Sequence, residues 1–239
     1  LRAANPIIFA LDVGSLDEVQ RFVEELKDWV WGFKIGKELF TWMGPKVVDL
    51  VQRRGGKVFL DLKYHDIPAT VARASAMATR LRVSMFNLHA LGGLEMMRVA
   101  VEASHEVAQK EGLPFPIILG VTVLTSLRAG DLSQVGITKP LEEEVILLAS
   151  LAQRAGLDGV VASPLEIKSL REACGEDMMI VTPGVRPHKR PQHDQARMMT
   201  PRQAVDAGAD YVVIGRPIRD AADPLKTTQE ILREIRLAT

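Results

Sequence analysis

The chain has 239 residues, 47% of them hydrophobic, which is enough for one substantial core and within the range of one or two domains. Lys+Arg and Asp+Glu each number 30, and the resulting zero net charge argues against a general electrostatic partner such as nucleic acid or an anionic membrane. A single cysteine, Cys174, excludes an internal disulfide and suits a reducing, cytoplasmic setting.

The first element is "PIIFALD" (6–12), whose apolar core is too short for a signal peptide and runs straight into an acidic residue, so it reads as a strand. The opening Leu in place of Met is as expected of a chain lacking its first residues. "SLDEVQRFVEELKDW" follows with helical periodicity, Ser15 as N-cap and Glu18 completing a capping box. Further strands are expected at "WGFKIG" (31–36), "KVFLDLK" (57–63), "MFNLHA" (85–90), "IILGVTVL" (117–124), "GVVAS" (159–163), "MIVTPG" (179–184) and "YVVIG" (211–215). Between them, "KPLEEEVILLA" carries the acidic run Glu142, Glu143 and Glu144, read as a solvated helix start, and "REACGEDMM" puts Cys174 at a helix end. "TPRQAVDAGAD" opens a helix with Thr200 as cap and Pro201 at its first position, and Gly208 stops it. No apolar run approaches the ~18 residues of a membrane-spanning helix.

Eight strand–helix units in a chain of this length predict an α/β fold of the (β/α)8 TIM-barrel type, with 1–239 as one catalytic domain. A doubly wound open sheet shows the same alternation, but no G-x-G-x-x-G follows the first strand. Polar residues gather at the C-terminal ends of the strands: Asp12, Lys34, Asp61, Lys63, His89, Thr125, Ser126 and Arg216. In a barrel those ends form the one face where active sites are found.

"KVFLDLKYHDIPAT" ends a strand on three charges of alternating sign. Residues two apart on a strand share a face, so Asp61 and Lys63 point the same way, with Lys34 reaching them from the adjacent strand. Gly32 and Gly36 share that parity and are expected to leave room for a ligand. Asp66 lies beyond the strand, where Pro68 forces Ile67 out of helical geometry. The result is a Lys34–Asp61–Lys63–Asp66 chain of alternating charge, positioned before substrate arrives. The bland alternative is a salt-bridged strand end without chemistry. His65 is expected to be structural, and His89 an interior hydrogen-bonding residue.

"YVVIGRPI" adds an anion-binding end: Gly215 admits close backbone approach, Arg216 offers a bidentate donor, and barrels often hold phosphate after strands seven and eight. The preceding loop, "TPGVRPHKRPQHDQARMMTP", is locally basic through Arg186, Lys189, Arg190 and Arg197, and its length is that of a lid. Arg186 and Gln195 are its phosphate-binding candidates, while Thr125 and Ser126 suit the polar edge of a base-like ring.

Together "FALD", "FKIGKELF", "FLDLKYHDIPAT", "VTVLTS", "VTPGVRP" and "YVVIGRPI", in order from Asp12 to Arg216, closely resemble the bacterial orotidine 5'-monophosphate decarboxylase family. The resemblance implies a homodimer with shared active sites that converts orotidine monophosphate to UMP without metal or organic cofactor. It implies Lys63 as proton donor to ring carbon C6, Asp61 beside the substrate carboxylate, Lys34 in the charge network and Asp66 supplied across the dimer interface. It further implies a substrate-binding stretch from Asp61 through Leu62, Lys63, Tyr64, His65, Asp66, Ile67, Pro68 and Ala69 to Thr70. Asp12 would bond the ribose, Thr125, Ser126 and Pro183 would border the substrate, and Arg186, Gln195, Gly215 and Arg216 would hold the phosphate. Tyr64 stands where the family accepts other side chains, at a position expected to face away from Lys63. The competing readings are a Mg-dependent sugar-phosphate lyase of the same superfamily, disfavoured by Lys34 at an acidic-ligand position, and a non-catalytic phosphate-binding barrel.

Overall fold

β-branched and aromatic runs bounded by Gly, Pro, Asp and Ser set the strands of the computed structural model, which describes residues 5–187 and 199–236. β1 (Ile7–Ala10) leads to α1 (Leu16–Leu26), and β2 (Gly32–Gly36) to α2 (Lys37–Met43) and α3 (Lys46–Arg53). β3 (Val58–Tyr64) precedes α4 (Pro68–Arg80), and β4 (Met85–His89) precedes α5 (Gly93–Glu111). β5 (Ile117–Val121) is followed by α6 (Ala129–Gln134) and α7 (Leu141–Arg154), and β6 (Gly159–Val161) by α8 (Ile167–Cys174). β7 (Met179–Pro183), α9 (Pro201–Asp206), β8 (Tyr211–Ile214), α10 (Arg216–Arg219) and α11 (Pro224–Arg236) complete the order. Each of the eight expected strands is present. The eight pair in parallel and in sequence order, and β1 closes on β8, making a (β/α)8 barrel.

Alternation along the strands sorts two apolar layers. Ile8, Ala10, Phe59, Met85, Leu119, Val121, Val161, Val181, Tyr211 and Val213 fill the barrel interior. The opposite parity packs outward against the helices, as where Phe9 meets Phe22 of α1 at 5.1 Å and Phe33 edge-on at 6.2 Å between ring centroids. Val19, Phe22, Val23 and Leu26 form the buried stripe of α1, and burying a side chain of this size contributes about 1.5–3 kcal/mol.

The N-terminal rim is held by carboxylates just ahead of strands. Asp158 accepts the Ile118 N–H at 2.7 Å, and Asp210 accepts the Ile180 N–H at 2.7 Å while pairing with Arg171 at 2.6 Å. These bonds satisfy backbone donors at the strand starts.

Helix starts follow the sequence closely. Ser15 accepts the Glu18 N–H, and Thr200 with Gln203 forms a reciprocal capping box ahead of Pro201. Cys174 ends α8, where burial pushes its thiol pKa up. One expectation is corrected: Glu142 and Glu143 are exposed at the start of α7, but Glu144 is buried, because the first helical turn rotates it toward the core.

Candidate active site

Three strands bring the charged set together. β2 presents Lys34 inward, and its ammonium lies 3.2 Å from Asp12 Oδ1, just past β1, and 3.4 Å from Asp61 Oδ2 on β3. Lys63 Nζ lies 2.5 Å from Asp61 Oδ1. The connected chain is therefore Lys63–Asp61–Lys34–Asp12. Asp61 is buried and Lys34 and Lys63 are partly so, which strengthens their pairing relative to a solvated surface pair, whereas Asp12 is exposed. The second carboxylate on Lys34 belongs to Asp12, and Asp66 stands apart. It is exposed and accepts the Ile67 N–H at 2.6 Å.

The end of β3 is not a regular strand. Leu60 pairs with Phe86 and Tyr64 with Leu88, so residues 61–63 stand opposite the single residue Asn87. Lys63 takes φ +52°, a left-handed conformation that costs a non-glycine residue about 1–2 kcal/mol. Its side chain still points inward, as the alternation predicts, but through a bulge rather than a pleat. The bulge removes a strand partner from the Lys63 N–H, and Asn87 replaces it. Asn87 Oδ1 accepts that N–H at 2.8 Å, and Asn87 Nδ2 donates to Asp61 Oδ1 at 2.7 Å. Sequence reasoning missed Asn87. The available signal was an amide at the same parity as Met85 and His89, in a strand otherwise suited to packing.

Leu62 and Tyr64 face the other way and pack against the outer layer, where burial pushes the Tyr64 hydroxyl up to about 12. Ile67 is extended at ψ 150°, and Pro68 begins α4, as expected for a residue preceding proline. Ala69 is exposed, and the Thr70 N–H donates to the Ile67 carbonyl at 3.0 Å. His65 is exposed and lies against His89, with ring centroids 5.3 Å apart. The expectation of a hydrogen-bonded His89 is corrected: its Nδ1 is buried with no partner among the described residues. Burial, with the nearby charges of His65, Lys37 and Lys63, pushes its pKa down to about 4 against an opposing effect of Asp61. The ring is therefore neutral at neutral pH and adds no cation beside Lys63.

Space around the network comes from two glycines. A Cβ on Gly36 would lie 3.1 Å from Lys34 Nζ, and one on Gly215 would lie 3.2 Å from Ala10 Cβ and 3.9 Å from Asp12 Oδ2. Gly32 does not serve this purpose. Its Cβ would lie 2.8 Å from the Lys57 carbonyl, so its absent side chain admits the neighbouring backbone rather than a ligand. Arg216 follows Gly215 as the first residue of α10 and is exposed on the same rim. Arg219 in that helix donates to the Asp12 carbonyl at 2.8 Å, fixing the loop that carries Asp12, a role the sequence did not suggest. Thr125 and Ser126 are exposed beyond β5, and Pro183 ends β7 half-buried. Arg186 is exposed, and its N–H reaches the Met199 carbonyl at 3.1 Å. Gln195, Lys189, Arg190 and Arg197 lie outside the described residues. Among the described residues no group of three His, Cys, Asp or Glu is arranged to hold a metal ion.

The arrangement can hold an ammonium at a fixed point beside a carboxylate, with a guanidinium on the same barrel face. A family model described as "Orotidine 5'-phosphate decarboxylase / HUMPS family" matches residues 5–231. The chain belongs to this family. Among orotidine 5'-phosphate decarboxylases, that of Pelobacter propionicus is 56% identical over 233 residues, covering 98% of this chain and 96% of its own length. That of Geobacter sulfurreducens is 55% identical over 234 residues, covering 98% of this chain and 97% of the relative. The crystal structure of orotidine 5'-phosphate decarboxylase from Lactobacillus acidophilus superposes with a TM-score of 0.85 at 35% identity, covering 97% of this chain and 99% of that one.

Proposed function

We propose that the chain, acting as one catalytic domain, removes CO2 from orotidine 5'-monophosphate to give uridine 5'-monophosphate, the last step of de novo pyrimidine biosynthesis. Membership of the decarboxylase family supports the reaction. The observation that carries the mechanism is the ammonium of Lys34 held between the carboxylates of Asp12 and Asp61, with Lys63 on the other oxygen of Asp61. A hard divalent cation needs oxygen donors, and here the point between the two carboxylates is taken by an amine.

Breaking the C6–carboxylate bond leaves an electron pair in the ring plane, where no neighbouring carbonyl accepts it. The Lys63 ammonium stabilises that pair and then transfers a proton to C6, and the neutral amine regains its proton from water. Asp61 faces the substrate carboxylate and loses its repulsion as CO2 departs. Two charges ~4 Å apart at an effective dielectric of ~20 interact by about 4 kcal/mol, whereas enzymes lower barriers by about 8–23 kcal/mol. Preorganised charge and phosphate binding therefore supply the larger share. Arg216 and Gly215 hold the phosphate with Arg186 and Gln195, Asp12 bonds the ribose, Thr125 borders the pyrimidine, and Ser126 and Pro183 border the substrate. The reading includes a cytoplasmic homodimer in which Asp66 enters the partner's site. An exposed Asp66 beside the 66%-exposed Ile67 supports a second copy covering this rim.

The test is consumption of orotidine monophosphate, followed by ultraviolet absorbance with EDTA present throughout. Undiminished turnover is expected. Activity that collapses on chelation and returns with Mg2+ would assign the chain to the metal-dependent lyase chemistry instead.

A further inference from the structure

Asn87 is fully buried in β4, at the height where the barrel interior changes from apolar residues to charged ones. Both ends of its amide are used, and for opposite chemistry. The carbonyl end receives the backbone N–H of left-handed Lys63, and the amine end donates to the Asp61 oxygen that also receives Lys63 Nζ. No other side chain of this size fits both demands. A carboxylate would face Asp61 with a second negative charge, and an apolar residue would leave a buried N–H and a carboxylate lone pair unmet.

Resting on the decarboxylase reading, we propose that Asn87 is the positioning residue of this site, holding the Lys63 backbone in its bulged conformation and orienting Asp61 toward the ammonium. The amide makes no ion pair itself. It acts by fixing where two charges stand, and a displacement of ~1 Å in such a group costs about 100-fold in rate. It bonds to Asp61 and to the Lys63 backbone of β3; Asp61 is paired in turn with Lys63 and with Lys34 of β2, Lys34 with Asp12 beyond β1, and His89, paired with His65, follows two residues on in β4.

Two variants test this. Asn87→Ala is expected to lower kcat by about 100-fold while binding of the product, uridine monophosphate, stays close to wild type. Asn87→Asp keeps the shape and the acceptor for the Lys63 N–H but places two carboxylates in contact, so one takes up a proton more readily than an isolated acid. When protonated, that side chain again donates to Asp61. The ratio of variant to wild-type kcat is therefore expected to rise as pH falls from about 8 to about 5 and to drop on return.

A folded Asn87→Ala enzyme within about threefold of wild-type kcat, or an Asn87→Asp ratio flat across that range, overturns the proposal. If the alanine variant does not fold, the near-isosteric Asp variant decides. Should wild type fail to turn over orotidine monophosphate, the decarboxylase reading falls. Hydrogen exchange at the Lys63 amide, slow in wild type and faster in either Asn87→Ala or a folded Asn87→Ser, then still decides on Asn87, and unchanged exchange would sink it.

Discussion

Lys63 shows how much a single residue's backbone can carry. Its charge answers Asp61, but its position depends on a left-handed φ that a lysine adopts only when its surroundings over-determine it. Arg216 is the contrasting case, an exposed cation to which the proposed function assigns the substrate phosphate. Hydrogen bonds to a charged group contribute about 1.5–3 kcal/mol, so Arg216→Ala is expected to lower kcat/KM for the nucleotide about tenfold or more. Steady-state rates with the phosphate-free nucleoside should be unaffected. An equal loss on both substrates would remove Arg216 from the phosphate site.

At the scale of elements, the strand ends do the positioning. β3 gains residues relative to β4 just where it acquires charge, so the site is built on a bulge that a regular ladder would not allow. The turn between β6 and α8 uses a related device. Ser163 and Glu166 cap each other, and Glu166 Oε2 accepts the Ser163 N–H at 2.8 Å. Burial, reinforced by Glu142 and opposed by the Ser163 bond, pushes the Glu166 pKa up to about 7 from 4.5. Between those values the native state keeps a proton the unfolded chain releases, so this group's contribution to stability falls as pH rises through about 7. Glu166→Gln keeps the acceptor and removes the titration. Its melting temperature relative to wild type is expected to be higher at about pH 8 than at about pH 5, as thermal unfolding at the two values would show. The depressed His89 pKa acts with the opposite sign, lowering stability as pH falls toward about 4, and it cancels in that difference. A Glu166→Gln advantage independent of pH would mean that the carboxyl is already ionised in its turn.

For the whole molecule, the closed barrel converts residues far apart in sequence into neighbours on one rim, and the chain holds Lys63, Asp61, Lys34 and Asp12 in contact without Asp66. If Asp66 completes the partner's site, Lys63→Ala and Asp66→Ala, each inactive alone, complement each other on mixing. Half of randomly exchanged twofold dimers are hybrids with one intact site, so activity is expected to return to about a quarter of wild type. The measurement is turnover against time after mixing under conditions that allow subunit exchange. No recovery would mean that Asp66 serves its own chain or none.

The strands, caps and charged strand ends were legible because their causes are local: apolar alternation, Ser15 and Thr200 before helices, and glycine and proline at the turns. Parity alone put Asp61 and Lys63 on one face and Tyr64 on the other, as found. The sequence did not disclose that Asn87 would fill the bulge, that Arg219 would reach back to Asp12, or that Gly32 serves a neighbouring carbonyl rather than a ligand. Those contacts join residues from elements distant in the chain, with a register set by closing eight strands on one another. Local pattern determined which side chains could meet, and barrel closure decided which of them do.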